Sequence, residues 1–177
     1  IDISPGFTGA QLEAVRQSAH GNTMRVFMEH SAPFWESDIG EPGLFTDTAI
    51  ERVFAHTNAR GEVFVLDCFV NGSAAYRFDQ MPTAEVGEFV LKELVRIRPA
   101  TKGRLKVLKV HSWAKDSASA CCRHVFNVGQ AGAWAEVMAK PHQRLHLAGE
   151  HTRDLASGME AAAMTGERAA LEILERE

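Results

Sequence analysis

The chain has 177 residues, a formal net charge of -4 and an isoelectric point of about 6.1. It carries no block of Lys or Arg, which is the footprint nucleic-acid binding requires. It has no apolar run near the roughly 18 residues of a membrane-spanning helix. Its three cysteines, two of them adjacent, make no disulfide framework and leave the compartment open. The length suits one domain with a substantial core.

Pro5-Gly6 and Thr8 precede a helical stretch, Gln11 to Ala19, with Leu12, Val15 and Ala19 on one face. Gly21-Asn22 breaks it. Thr23 to His30 alternates well enough for a strand, and Pro33-Phe34-Trp35 leads into a Gly- and Pro-containing loop, Ser37 to Gly43. Val63 to Val70 (VFVLDCFV) is nearly all apolar and reads as a buried strand. Asn71-Gly72 is a turn. Thr83 and Pro82 open a helix, Ala84 to Ile97, whose stripe is Val86, Phe89, Val90, Leu94 and Ile97. Pro99 ends it. Leu105 to Trp113 reads as a strand, Gln130 to Ala139 as a short helix, Leu145 to Ala148 as a strand and Gly158 to Glu175 as a closing helix. Helices and strands mixed in this order around one long inner strand predict an α+β domain.

The last third is the most specific stretch. A short apolar strand runs into Gly149-Glu150, and Ser157 with Glu160 forms an S-x-x-E capping box for the closing helix. Ala162, Ala163, Gly166, Ala169 and Ala170 give that helix a small-residue face that permits close approach to a strand or a ring. A helix start offers free N–H groups and a partial positive charge to an anion. Glu150 is placed to accept hydrogen bonds from sugar-like hydroxyls. By spacing alone, a plain Ala-rich packing helix is the better reading. His142, His146 and His151 share no helical face, and no metal site is expected.

Leu147–Thr152 (LAGEHT), Gly158–Ala162 (GMEAA) and Thr165–Ala170 (TGERAA) together resemble the closing FAD-binding segment of the flavin amine oxidases. That family includes monoamine, polyamine and L-amino acid oxidases and related histone demethylases. The resemblance extends upstream in the family's order: Ile3-Ser4-Pro5, the strand entry Gly21–Val26, Pro33-Phe34-Trp35, Gly72–Ala75, Ile97-Arg98-Pro99, and Trp113 with Asp116. It implies residues 1–112 as mostly substrate-binding domain, a mixed sheet with flanking helices. Residues 113–177 would close a Rossmann-like FAD-binding domain as its last strand and helix.

The resemblance also assigns roles. Glu150, with the backbone at Gly149, would hold the ribityl or pyrophosphate region of FAD. The helix start at Gly158 and Met159 would aim N–H groups at the N1/C2-carbonyl edge of the flavin, where reduced flavin is negative. Trp113 would pack beside the isoalloxazine; without its neighbours it reads as a core aromatic at a strand end. The strands at Thr23–His30, Val63–Val70 and Leu105–Trp113 would line the substrate side. Cys122 falls where monoamine oxidases carry the cysteine bonded to the flavin 8α-methyl group, although most relatives have Ser or Ala there and hold FAD non-covalently.

Two positions depart from the family. Its lysine, which reaches flavin N5 through water, is Arg25 here, a planar and permanently charged fork. Arg25 would then be a catalytic cation, a carboxylate holder or a paired strand residue. The family's two cage tyrosines are missing, because the chain has a single Tyr, Tyr76, elsewhere. The first cage position falls on Arg123, which suits a substrate carboxylate through a bidentate contact or is simply a solvated strand residue. The second falls at about Gly158.

A FAD site of this type needs a G-x-G-x-x-G turn for the pyrophosphate, and the 177 residues contain none. A partner chain carrying that N-terminal half is therefore expected, either separately encoded or cleaved from a precursor. The resulting expectation is a flavin-dependent amine or L-amino acid oxidase acting on a small-molecule amine, with FAD as cofactor and no nucleic-acid or membrane partner. Two alternatives stay open: a desaturase of the same superfamily, or a flavoprotein interaction subunit without turnover.

Overall fold

The computed structural model describes residues 2–152 and 158–175. It forms two compact units, Asn22–Cys122 and the pair of segments Ile1–Gly21 and Arg123–Glu177. The N-terminal 21 residues thus group with the C-terminal segment rather than with the residues that follow them.

The first unit is a five-stranded antiparallel sheet backed by helices. Its strands are β2 (Thr23–His30), β3 (Leu44–Phe45), β4 (Arg52–Thr57), β5 (Val63–Asn71) and β6 (Leu105–Ser112), in the order β3-β4-β5-β2-β6. The three strands read from the sequence as substrate walls are therefore neighbours. Alternation sends Met24, Val26 and Met28 of β2 and Leu66, Cys68 and Val70 of β5 to one face, where all are buried. Against them pack α2 (Gly72–Asp79), through Ala75 and Phe78, and α3 (Thr83–Ile97), through Val86, Val90 and Leu94. Each fully buried side chain of this size contributes roughly 1.5–3 kcal/mol. Gly87 lets α3 approach β6 closely, since a Cβ there would lie 3.3 Å from Val107. Phe89, expected on the buried stripe, is 37% exposed, so the stripe is narrower than the sequence suggests.

β4 and β3 were not legible in the sequence. RVFAHT mixes charges with apolar residues, because its outer face carries Arg52, Phe54 and His56 while only Val53 is buried. Asn71-Gly72 opens α2 rather than a simple turn. The loop after Phe34 is fastened by Arg98. Its guanidinium donates to both carboxylate oxygens of Asp38, at 2.8 and 2.7 Å, and to the carbonyl of Glu41 at 2.6 Å. This pairing holds the Asp38 carboxyl down at about 2.

The second unit contains α1 (Gly9–Gln17), β1 (Ala19–Gly21), β7 (Arg123–Val125), α4 (Ala131–Ala139) and α5 (Gly158–Leu174). β1 and β7 pair antiparallel, Gly21 opposite Arg123. The strand expected at Leu145–Ala148 does not form; Leu145 makes one isolated bridge to His142. A strand needs a ladder partner for its backbone groups, and Leu147 instead gives its carbonyl to Arg168 on α5, at 2.6 Å. Ser157 of the expected capping box lies outside the described residues. The buried face of α5 is Ala161, Thr165 and Ala169, while Ala163 and Ala170 are exposed, so the expected small-residue face is turned by about one position. No described helix is long and apolar enough to cross a membrane.

Candidate functional site

The site residues read from the sequence fall in both units, and each group has its own geometry.

In the sheet unit, Arg25 points to the face opposite the core. Register places Phe69 of β5 beside it, then Arg52 of β4 and Phe45 of β3, with His111 of β6 on the other side. The Phe69 ring sits between two guanidiniums, Arg25 at 4.1 Å and Arg52 at 5.0 Å from its centroid. Two residues along, Phe27, Asp67 and Phe54 form the next row. Asp67 is fully buried there. Arg25 donates to it through Nε at 2.8 Å and through a terminal nitrogen as well. The His56 ring meets the same carboxylate at 3.1 Å. Burial draws the Arg25 guanidinium below its ordinary range, yet arginine starts so high that it stays charged. Arg25 is thus a held cation and not a titrating base.

Trp113 follows the end of β6. Its N–H donates to the Thr23 carbonyl at 3.1 Å, and its ring stands edge-on to His111 at 4.6 Å. Arg25, His111 and Trp113 therefore lie at one end of the sheet. Cys122 is exposed. Cys68 is the buried thiol, pushed up to about 12 chiefly by burial.

In the other unit, Gly149 and Glu150 form a tight turn fixed to α5. The Thr165 hydroxyl accepts the Gly149 N–H at 2.9 Å and lies 3.2 Å from the Gly149 carbonyl. Gly149 has φ +130°, and a Cβ there would come 2.7 Å from the His151 ring, so only glycine fits without rearrangement. Glu150 accepts the His124 N–H at 3.3 Å, which ties the turn to β7. Burial, and then His20, lower the His151 pKa, which keeps that ring neutral. Gly158 and Met159 open α5 with exposed side-chain positions, Met159 at 90%. Arg123, on β7, is exposed. Between α4 and α5 lies a cavity of about 760 Å³ lined by Ala131, Gly132, Ala135, Ala161, Thr165 and Arg168.

Four residues with evident roles escaped the sequence reading. Asp67 had a signal: a lone charge in an apolar strand requires a partner. His56 lay on a strand that was itself missed. Thr165 and Arg168 stand inside the TGERAA motif, but the backbone groups they hold carry no mark in the sequence. Arg168 bonds the carbonyls of Ala139 and Leu147 and the carboxylate of Glu172, whose other oxygen meets His146 at 2.9 Å. No cluster of potential metal ligands occurs among the described residues.

The residues of the second unit fit part of a flavin dinucleotide site. A glycine-only turn carries a carboxylate acceptor, and the first residues of α5, Gly158 to Glu160, are exposed. The Gly-rich pyrophosphate turn is not among the 177 residues.

Comparison with known proteins agrees with this partial fit. The L-amino-acid oxidase of Naja atra is 25% identical over 179 residues, covering 98% of this chain and 35% of the relative. That of Mus musculus is 28% identical over 178 residues, covering 98% of this chain and 28% of the relative. The chain thus spans about a third of the length of the curated relatives it matches. Among solved structures, a redesigned putrescine oxidase superposes with a TM-score of 0.84 at 19% identity, over 100% of this chain and 40% of the other. Cyclohexylamine oxidase from Brevibacterium oxydans IH-35A gives 0.78 at 19% identity, over 98% and 39%. The sequence model of the flavin containing amine oxidoreductases matches residues 1–174, and the chain belongs to that family.

Proposed function

We propose that this chain supplies the substrate walls and the closing flavin-binding segment of a flavin-dependent amine or L-amino acid oxidase. The observation that carries the reading is the Gly149–Glu150 turn locked to α5 by Thr165, which holds the family's closing motif as a rigid unit. The pyrophosphate cradle would be supplied from outside these 177 residues. We assign it the groove between α4 and α5, whose small residues permit close packing.

Held by Gly149, Glu150 and the start of α5, FAD would supply the two-electron redox chemistry that converts an amine, water and dioxygen to a carbonyl compound, ammonia and hydrogen peroxide. The chain's residues bind and orient. Glu150 accepts hydrogen bonds from cofactor hydroxyls. The N–H groups at Gly158 and Met159 present partial positive charge to an electron-rich ring edge. Trp113 offers a flat wall, and Cys122 lies beside the cofactor without bonding to it. Arg25 provides a fixed positive charge. Phe27, Phe54 and Phe69 exclude water from the outer face of the sheet.

That face favours an amino acid over a neutral arylalkylamine. Beside the paired Arg25 and Asp67, it combines aromatic rings with the cations Arg52 and Lys109. Such a surface suits a substrate with a carboxylate and an apolar side chain, and Arg123 is a further candidate for the carboxylate. The test is to produce the chain together with a polypeptide carrying the Gly-rich turn. A yellow complex that keeps its flavin through gel filtration supports the reading; a stable but colourless complex overturns it.

A further inference from the structure

Asp67, the partner of Arg25 and His56, is the most deeply buried ionisable group on the outer face of the sheet. It is fully buried, whereas the Arg25 side chain is 22% exposed and that of His56 is 45% exposed. A lone carboxylate at such depth is costly unless it is paired and hydrogen-bonded. Here both oxygens are engaged. Oδ1 accepts the Arg25 Nε–H at 2.8 Å, and Oδ2 meets an Arg25 terminal nitrogen and His56 Nε2, the latter at 3.1 Å.

The contact has two consequences for Arg25. Its fork is held edge-on by two hydrogen bonds while its plane rests on Phe69 at 4.1 Å, so both its rotation and its reach are fixed. Its charge is also balanced by a carboxylate only a hydrogen bond away. Among the other charged groups on this face, Arg52 of β4 and Lys109 of β6 bring further positive charge, Lys106 of β6 pairs with the exposed carboxylate of Glu29, and no second carboxylate is buried.

We propose that Asp67 is the positioning residue for Arg25, which it fixes as a charge-balanced, immobile cation on the substrate side of the flavin site. The inference rests on the proposed reading of that face as the substrate side. It implies that Arg25 is already committed to Asp67 and is not the receptor for a substrate carboxylate. It also implies that the Lys-to-Arg departure from the family pattern is accommodated by a carboxylate that a planar fork can use.

The test uses the assembled flavoprotein and reads both turnover and the flavin midpoint potential. Asp67→Asn removes the balancing charge and frees the fork. Turnover should fall about tenfold or more, as small misplacements of active-site groups do. The potential should rise, because an unbalanced positive charge favours the electron-rich reduced flavin. Arg25→Met should lower the potential, because the Asp67 carboxylate is then unbalanced. The double variant Asp67→Asn/Arg25→Met, which removes both charges, should return the potential toward the parent value while its turnover stays at the Arg25→Met level. Purely structural damage would not give that opposite pair of shifts. Unchanged rate and potential in Asp67→Asn, or a turnover loss in the double variant that multiplies the two single losses, would overturn the proposal. An Arg25→Met variant with an unaltered potential would overturn the placement of Arg25 beside the flavin itself. Should Asp67→Asn fail to retain flavin, Asp67→Glu keeps the charge but displaces it by one methylene. Slower turnover at unchanged potential then supports the role, and unaltered turnover overturns it.

Discussion

Thr165 on α5 holds Gly149 by both sides of its residue: its hydroxyl accepts the Gly149 N–H at 2.9 Å and lies 3.2 Å from the Gly149 carbonyl. Thr165 is 7% exposed, so water has little access to replace it. Thr165→Val keeps the shape and removes the acceptor, which orphans a half-buried N–H. A loss of about 1–3 kcal/mol is expected, read as a lower urea midpoint, together with weaker flavin retention. Retention equal to the parent protein's would show that the turn does not depend on this hydroxyl.

Two pH steps should appear in folding stability. Asp38 falls from an ordinary 3.8 to about 2 in the folded chain, because Arg98 hydrogen-bonds its charged form. A depressed carboxylate contributes stability above its unfolded value and loses it as pH drops through the folded one. Its contribution should therefore disappear between about pH 4 and pH 2. His151 is also lowered, chiefly by burial, from an ordinary 6.5. The unfolded chain then binds the extra proton first, so stability should decline as pH falls below about 6.5. Urea titrations across this range should show both steps. Asp38→Asn should shrink the lower one, to which Glu93 and Glu172 also contribute because hydrogen bonds from Arg96 and His146 lower them. His151→Asn should remove the upper one.

Much of the sheet was legible because its inner strands bury one face and alternate accordingly. Thr23–His30 is a strand with the expected ends, and Val63–Asn71 and Leu105–Ser112 lie within one residue of expectation. What was not legible has a common cause. β4 gives only Val53 and the small, partly buried Ala55 to the core, while Arg52, Phe54 and His56 take the outer face, so no strong apolar period marks it. Leu145–Ala148 has a strand's composition, but among the described residues it finds one isolated bridge and a guanidinium in place of a ladder. Of the candidate site, Gly149, Glu150 and Arg25 were visible as motif positions. The groups that hold them, Thr165 and Asp67, join only through tertiary contact across 16 and 42 residues of sequence.

Cys122 provides a separate check on the cofactor. It is exposed, and its position matches the cysteine that bonds flavin in monoamine oxidases. Exposure alone does not activate a thiol; a lowered pKa and an aligned electrophile do. We expect non-covalent binding. Acid precipitation should release the flavin to the supernatant, and Cys122→Ser should retain flavin as the parent protein does. Yellow colour remaining with the precipitated chain would establish the covalent bond instead.

The central claim is that the assembled protein oxidises an amine through its flavin. It is tested most directly by recording the visible flavin band anaerobically while a panel of L-amino acids and primary amines is added. Bleaching by at least one carboxylate-bearing amine is expected, with recovery of the band on admission of air and hydrogen peroxide in proportion to the flavin reduced. A flavin that every member of the panel leaves oxidised would contradict it.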